Sequence, residues 1–387
     1  MNLSFFIARR LKFKGRLAML CIALSFFIMT VSVAVSSGFR TEIRNGLTDI
    51  TGDVTVGPVN MNFLDEQSPI SYAAEYLNEI ESLESVASVR PAAWRAGIVK
   101  HNDNIHGVLI KGTEDFCGQQ LEVSIPSRLS RMLSVGEGDD LVTYFIGEKV
   151  KVRKFHIKSV YSSVVDVDDK LIVYARMEDI QRLNGWKQDE VSTIEIIAEP
   201  KYRSIQGLDR LEAETGYLVY DEYAENSNRV AAVSSVSRYP QLFDWLELID
   251  FNVLVILILM TIVAGFNMIS GLLIMLFENI SMIGTLKSLG MKNRSIASIF
   301  LTGASFNVIK GLLIGNIAAV SVCLIQKWTH LIPLNPDNYF VSFVPVDLNP
   351  LLILSADVVS YFVIMALLLI PCLFISKVDP ATTIAMK

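Results

Sequence analysis

Four apolar stretches decide what this chain can fold into: residues 17–37, 251–277, 296–326 and 350–376. Each carries few or no charges over about 20 residues, the length a helix needs to cross the hydrocarbon core of a bilayer. Inside hydrocarbon a backbone N–H or C=O finds no water, so a spanning stretch must close its own hydrogen bonds as helix. The expected fold class is a membrane protein with four transmembrane α-helices, one and then three. A large α+β extracytoplasmic domain is inserted between helices one and two.

Charge sets the expected orientation. Residues 1–16 hold Arg9, Arg10, Lys12, Lys14 and Arg16 and no acid, whereas the middle of the chain is acidic, with Asp166, Asp168 and Asp169 in one run. Loops rich in Lys and Arg stay in the cytoplasm, which places both termini inside and residues 38–250 outside. The expected order is a cytoplasmic amphipathic elbow (1–16), transmembrane helix 1 (17–37), and a stalk with the extracytoplasmic domain (38–250). Transmembrane helix 2 (251–277), a cytoplasmic helix (278–295) and transmembrane helix 3 (296–326) follow. An external loop (327–349), transmembrane helix 4 (350–376) and a cytoplasmic tail (377–387) complete the chain. The apolar run is too long for a cleaved signal peptide, and Val35-Ser36-Ser37-Gly38 is a weak cleavage site.

Between residues 50 and 240 the pattern alternates. Strand character covers 53–56, 86–100, 107–111, two runs within 141–160, 171–175 and 191–198. Helical spacing covers 73–83, 127–133, 177–183 and 202–215. Strand order does not follow from the sequence.

Motifs for chemistry are absent. No G-x-x-x-x-G-K-[ST], H-E-x-x-H or G-x-S-x-G occurs, so no catalytic residue, phosphate loop or metal site is expected in this chain. The histidines (His101, His106, His156, His330) have no catalytic spacing, and the cysteines (Cys21, Cys117, Cys323, Cys372) have no metal spacing. Two charges interrupt the apolar blocks, Lys310 and Asp357. An intramembrane charge is costly and faces protein or water. Either each snorkels separately, or the two form an intramembrane pair, or they act directly in transport.

The loop between helices two and three is the most informative segment. Ile280, Ile283, Leu286 and Leu289 recur every third residue, and Gly290 is placed to end a helix. Such a one-sided helix either docks on a partner or lies flat on the membrane surface.

This segment, Glu278 through Gly290, resembles the coupling helix of MacB/FtsX-type ABC transporter permeases, whose usual form is close to E-I-G-x-x-(K/R)-(A/S/T)-x-G. Ile7-Ala8-Arg9-Arg10-Leu11 resembles the basic elbow of that family. Pro371 through Ala381 resembles its closing segment, although the usual basic pair is replaced by Cys372, Leu373 and Phe374. Within the family the likeness is greatest to lipoprotein-releasing permeases of the LolC/LolE type, through Gly38-Phe39-Arg40-Thr41-Glu42-Ile43 and the segments 332–340 and 344–346.

The resemblance implies a non-enzymatic permease subunit of the bacterial inner membrane that binds no cofactor itself. ATP and Mg would be used by two copies of a separate ATPase subunit. Ile280, Ile283, Gly284, Leu286, Lys287, Leu289 and Gly290 would contact that ATPase, and Arg9 and Arg10 would form the elbow. A second permease subunit, identical or paralogous, would complete the complex. The implied substrate is a lipoprotein handed to a periplasmic carrier; nucleic acid is not among the implied partners. Phe26, Phe27, Met29, Leu254 and Ile258 are candidate lipid or substrate contacts, or ordinary packing residues. Export of drugs or peptides, and FtsX-like regulation of a cell-wall hydrolase without transport, are the alternatives.

Overall fold

The computed structural model of the protein describes residues 16–58, 69–102, 104–147, 149–161, 171–223, 230–335 and 339–373. Arg9 and Arg10, the acidic run at 166–169 and the tail 377–387 lie outside the described residues. The chain divides into two compact units. One comprises Met1–Thr41, Trp245–Pro333 and Phe343–Lys387; the other comprises Glu42–Asp244 and Leu334–Ser342.

Helix α1 (Arg16–Thr51) contributes to both. It outruns its apolar stretch because residues 38–51 keep helical spacing. Gly52, at φ 71°, ends it: the amide of Gly52 donates to the Thr48 carbonyl at 2.9 Å, a conformation in which a side chain is strained.

In the second unit the order is β1 (Val54–Pro58), β2 (Ile70–Ser71), α2 (Tyr76–Glu81), β3 (Val86–His101), β4 (Asn104–Thr113), β5 (Glu122–Pro126) and α3 (Ser127–Leu133). Then come β6 (Asp140–Phe145), β7 (Lys151–Tyr161), β8 (Ile172–Arg176), α4 (Met177–Asn184), β9 (Glu190–Val191) and β10 (Thr193–Ala198). The unit continues with α5 (Ile205–Tyr223), β11 (Val230–Ser234) and α6 (Ser235–Arg238).

Its main sheet runs β11-β1-β10-β3-β4-β8-β5-β7-β6, and β6 also pairs with β3. That extra pairing closes six strands, β3 to β6, into a ring. Strand β3 makes this possible by its length. Val86–Ala92 pairs with β10, Ala92–His101 with β4, and Ile98–Lys100 with β6. A Cβ at Gly97 would stand 2.8 Å from Thr143 Cγ2 and 3.0 Å from Phe145 Cε1, so the missing side chain is what lets β6 close over β3. Val99, Val123, Ile125, Phe145 and Ile157 are fully buried in this core, and Phe145 meets Phe155 edge-on at 6.3 Å. Each such side chain contributes about 1.5–3 kcal/mol by leaving water.

The last turn of α1 contains no basic residue. Lys111 of β4 supplies the charge instead. Its ammonium donates to the carbonyls of Ile50 (2.7 Å) and Asp49 (3.2 Å) and pairs with Glu195 of β10 at 2.8 Å. A cation at a helix C-terminus is favourable. Both side chains of the pair are about as buried as core residues, 4% and 5% exposed. Burial pushes the Glu195 carboxyl above the usual carboxylate range, with the Lys111 ammonium opposing the shift.

The first unit contains α7 (Pro240–Glu278, from Trp245 onward), α8 (Ile280–Ser288), α9 (Asn293–Thr329), α10 (Pro350–Leu367) and α11 (Leu369–Cys372). Among the described residues, four helical segments are long and apolar enough to cross a membrane: Ala18–Thr51, Pro240–Glu278, Asn293–Thr329 and Pro350–Cys372. Ile22, Phe26, Met268, Leu272, Phe300, Val308 and Ile364 form its core.

Helices α1 and α9 touch at glycine. A Cβ on Gly311 would stand 2.6 Å from Ile22 Cγ2, and one on Gly315 would collide with the Ala23 carbonyl oxygen and stand 3.0 Å from Phe26 Cβ. Small residues spaced by four are the means by which membrane helices approach closely. As numbers rise on α9 they rise on α1, so the two helices run in the same direction.

Gly315→Ala is expected to force α1 away from α9 and to lower stability by about 1–3 kcal/mol. Thermal unfolding in detergent checks this; unchanged unfolding would mean the helices part without cost.

Candidate functional site

The coupling segment folds as α8, a helix of 9 residues, with Gly290 at φ 82° just beyond its end. Its apolar face is not free. Ile283 is 1% exposed and packs in the chain's own core with Met275, Leu276, Ile296 and Phe300, while Ile280 and Leu286 pack against that cluster and Gly284 is buried. This corrects the expectation that the whole stripe is available to a partner. A repeat of three on a short helix is also satisfied by seating that helix under its neighbours. Leu289 is the exception, at 79% exposed, and it adjoins exposed Ser288 and Gly290. Lys287 is half-buried.

Among α1, α7 and α10 lies a cavity of about 670 Å³. Leu254, Leu257, Ile258 and Ile262 of α7 and Leu352, Val359 and Val363 of α10 give it apolar walls. Ser36, Ser37, Arg40 and Thr41 of α1, with Asp250 of α7 and Asp347 and Asn349 ahead of α10, form a polar rim at one end. The rim is bonded throughout. Arg40 pairs with Asp250. The Ser36 hydroxyl donates to Asp250 at 2.6 Å, and the Ser37 hydroxyl donates to Asp347 at 2.9 Å. Asn349 caps α10 by accepting from the amides of Leu351 and Leu352.

Of the candidate substrate contacts, Leu254 and Ile258 line this cavity. Phe26 and Met29 do not: they are 0% and 1% exposed in the helix core, as packing against α9 requires. Phe27 is half-buried and is not among the lining residues.

Lys310 and Asp357 do not meet. Asp357 is 6% exposed and accepts a hydrogen bond from the Asn316 side-chain amide at 2.5 Å. The Asn316 carbonyl oxygen in turn accepts from the Thr30 hydroxyl at 2.7 Å. This Thr30–Asn316–Asp357 chain links α1, α9 and α10. Lys310 is exposed on the outer face of α9, and no ion pair reaches it among the described residues. Because Gly311 packs at Ile22, Lys310 lies at the level of α1 about 9 Å along the axis from Arg16. From there a lysine stem can reach toward the membrane surface on the Arg16 side. The two charges thus form no pair, and Asp357 does not snorkel either: it is held inside the helix core by Asn316.

Asn307 and Asn316 are the two amides that the sequence offers near these charges; Asn316 holds Asp357, whereas Asn307 donates to the Gly303 carbonyl, and the rim and the part of Thr30 were not legible. Asp250 stands at the edge of an apolar block and Arg40 just past another, so their isolation was visible. Their convergence needed three helices.

Residues 254–380 match the model of the family described as FtsX-like permease C-terminal. The chain is 22% identical over 371 residues to the lipoprotein-releasing system transmembrane protein LolC of Xylella fastidiosa strain Temecula1, spanning 88% of this chain and 86% of that protein. It is also 22% identical over 363 residues to LolC of Neisseria meningitidis serogroup B, spanning 85% and 83%. Among solved structures it matches the periplasmic region of MacB from Actinobacillus actinomycetemcomitans (TM-score 0.34, 12% identity, 50% of this chain and 95% of that one). It also matches the extracellular domain of the ABC-type transporter YknZ from Gram-positive bacteria (TM-score 0.31, 11% identity, 47% and 98%). The expected likeness to MacB/FtsX-type permeases, and among them to lipoprotein-releasing subunits, is borne out by the family and LolC matches.

Asp357→Leu is expected to cost about 1–3 kcal/mol, because the Asn316 amide loses its acceptor. Lys310→Met should change stability by no more than about 0.5 kcal/mol, and the double substitution should equal the sum. Thermal unfolding of both single variants and the double decides this; rescue of Asp357→Leu by Lys310→Met would show that the two charges do interact.

Proposed function

We propose that this chain is the permease subunit of an ABC transporter that releases lipid-anchored proteins from the inner membrane, driven by ATP hydrolysis in a separate subunit. The observation that carries the reading is the cavity among α1, α7 and α10, with apolar walls and a hydrogen-bonding rim. An acyl chain needs such walls, and the polar group that joins it to a peptide needs such a rim. The LolC relatives, named for lipoprotein release, support the same reading. Four apolar helices long enough to cross a membrane fit a subunit that is moved rather than one that hydrolyses.

Movement enters at α8. With Ile283 anchored in the chain's own core, a push on this helix passes into α7 and α9 as packing, not through a loose loop. The ATPase, using its own ATP and Mg, contacts the exposed end at Ser288, Leu289 and Gly290. A second permease subunit, identical or paralogous, shares the complex, and a periplasmic carrier takes the released lipoprotein.

Two substitutions test the two ends. Leu289→Asp is expected to abolish co-purification of the ATPase while thermal unfolding of the permease stays unchanged; retained co-purification would sink the assignment of that end. Ile258→Trp should narrow the cavity and cut ATP-dependent lipoprotein release from proteoliposomes by about tenfold. Undiminished release, or export of a soluble peptide in its place, would contradict the reading.

A further inference from the structure

The charges on the cavity rim say more than that a lipid fits. The charged residues that line the cavity are one cation, Arg40, and two anions, Asp250 and Asp347, so one negative charge is left over. The one cation is engaged: Arg40 pairs with Asp250, which also accepts from Ser36. Asp347 accepts from Ser37 at 2.9 Å and from Thr41 at 3.5 Å. The N-terminus of α10 adds a partial positive charge of about half a unit. Asn349 already takes up the amides of Leu351 and Leu352 at 3.1 and 3.4 Å. What remains at the mouth is negative and rich in acceptors, since an ionised carboxylate can only accept.

We infer that this rim selects by headgroup: it rejects anionic phospholipid, whose headgroup brings a phosphate and no ammonium, and admits acyl chains attached to a peptide, whose amide N–H groups can donate to Asp250 and Asp347. The inference rests on the reading of the cavity as an acyl-chain site. A phosphodiester carries a negative charge and accepts where the rim accepts, so it meets repulsion without compensation. A peptide backbone brings donors and no charge. Such a filter is needed, because bulk phospholipid outnumbers any lipoprotein beside an open apolar cavity.

The test uses the purified full-length chain in nonionic detergent and a fluorescent N-acylated diacylglyceryl-cysteinyl peptide amide with uncharged residues, so that the probe carries no charge. Phosphatidylglycerol is the competitor. In the unmodified chain, phosphatidylglycerol should displace the probe only at a concentration about tenfold or more above that of unlabelled peptide, a gap of about 1.4 kcal/mol. Asp347→Asn and Asp250→Asn should each narrow that gap about threefold or more, and Asp347→Glu should keep it. Equal displacement by both lipids in the unmodified chain, an unchanged gap in both asparagine variants, or failure of the peptide probe to bind would overturn the inference. The assay does not read ATP-driven release. A chain that shows the gap yet releases no lipoprotein would sink the proposed function and leave the selectivity standing.

Discussion

The membrane unit depends on how closely α1 and α9 approach. Lipid tails are as apolar as leucine, so helices in a bilayer gain little by hiding apolar surface and must gain by packing and hydrogen bonds. Gly311 and Gly315 remove the atoms that would hold α1 off, and Ile22, Ala23 and Phe26 fill the space. Only at that distance can Thr30 reach Asn316 at 2.7 Å, and Asn316 hold Asp357 at 2.5 Å. A carboxylate on α10 is thus tied to α1 through an amide on α9. The same approach fixes the level of Lys310 against α1 and leaves its side chain on the open face. The two intramembrane charges have opposite fates because one has donors within reach and the other has a route toward water.

The cavity follows from where the helices do not touch. α1 lies against α9 along one face, and another part of it, from Val33 to Thr41, turns toward α7 and α10. There the contacts are ionic and hydroxylic, and below them the walls are leucine, isoleucine and valine. The Arg40–Asp250 pair is partly exposed, and such a pair is weak singly. A rim held by such contacts can part more readily than the glycine-packed seam.

The second unit uses burial for a different end. A helix of 36 residues ends in a turn without its own cation, and a lysine from β4 fills that place while paired to a glutamate on β10. Removing either partner would leave a desolvated charge, a cost of about 3–5 kcal/mol. The pair therefore fixes where the end of α1 lies on the sheet more than it adds stability. Ring closure by β6 on β3 likewise turns an open sheet with two edges into a body with fewer exposed strand edges.

Much of this was legible in the chain. Length and apolarity alone call for four spanning helices, because hydrocarbon leaves the backbone no other way to satisfy itself. Period-two and period-three-to-four spacing located most strands and helices of the inserted domain. Among the strands they missed are β5, Glu-Val-Ser-Ile-Pro, which closes on a proline, and β11, Val-Ala-Ala-Val-Ser, which does not alternate. Spacing could show that α8 has an apolar face. It could not show that Ile283 spends that face inside the protein, because burial depends on what lies opposite. Nor could it join Arg40 to Asp250, Lys111 to Glu195 or Asn316 to Asp357, which are distant in sequence. One-dimensional pattern determines which surfaces must be hidden from water or exposed to lipid. Which residue then meets which is decided only when helices and strands pack in three dimensions, since partnership rests on distances of a few ångströms that the order of residues does not encode locally.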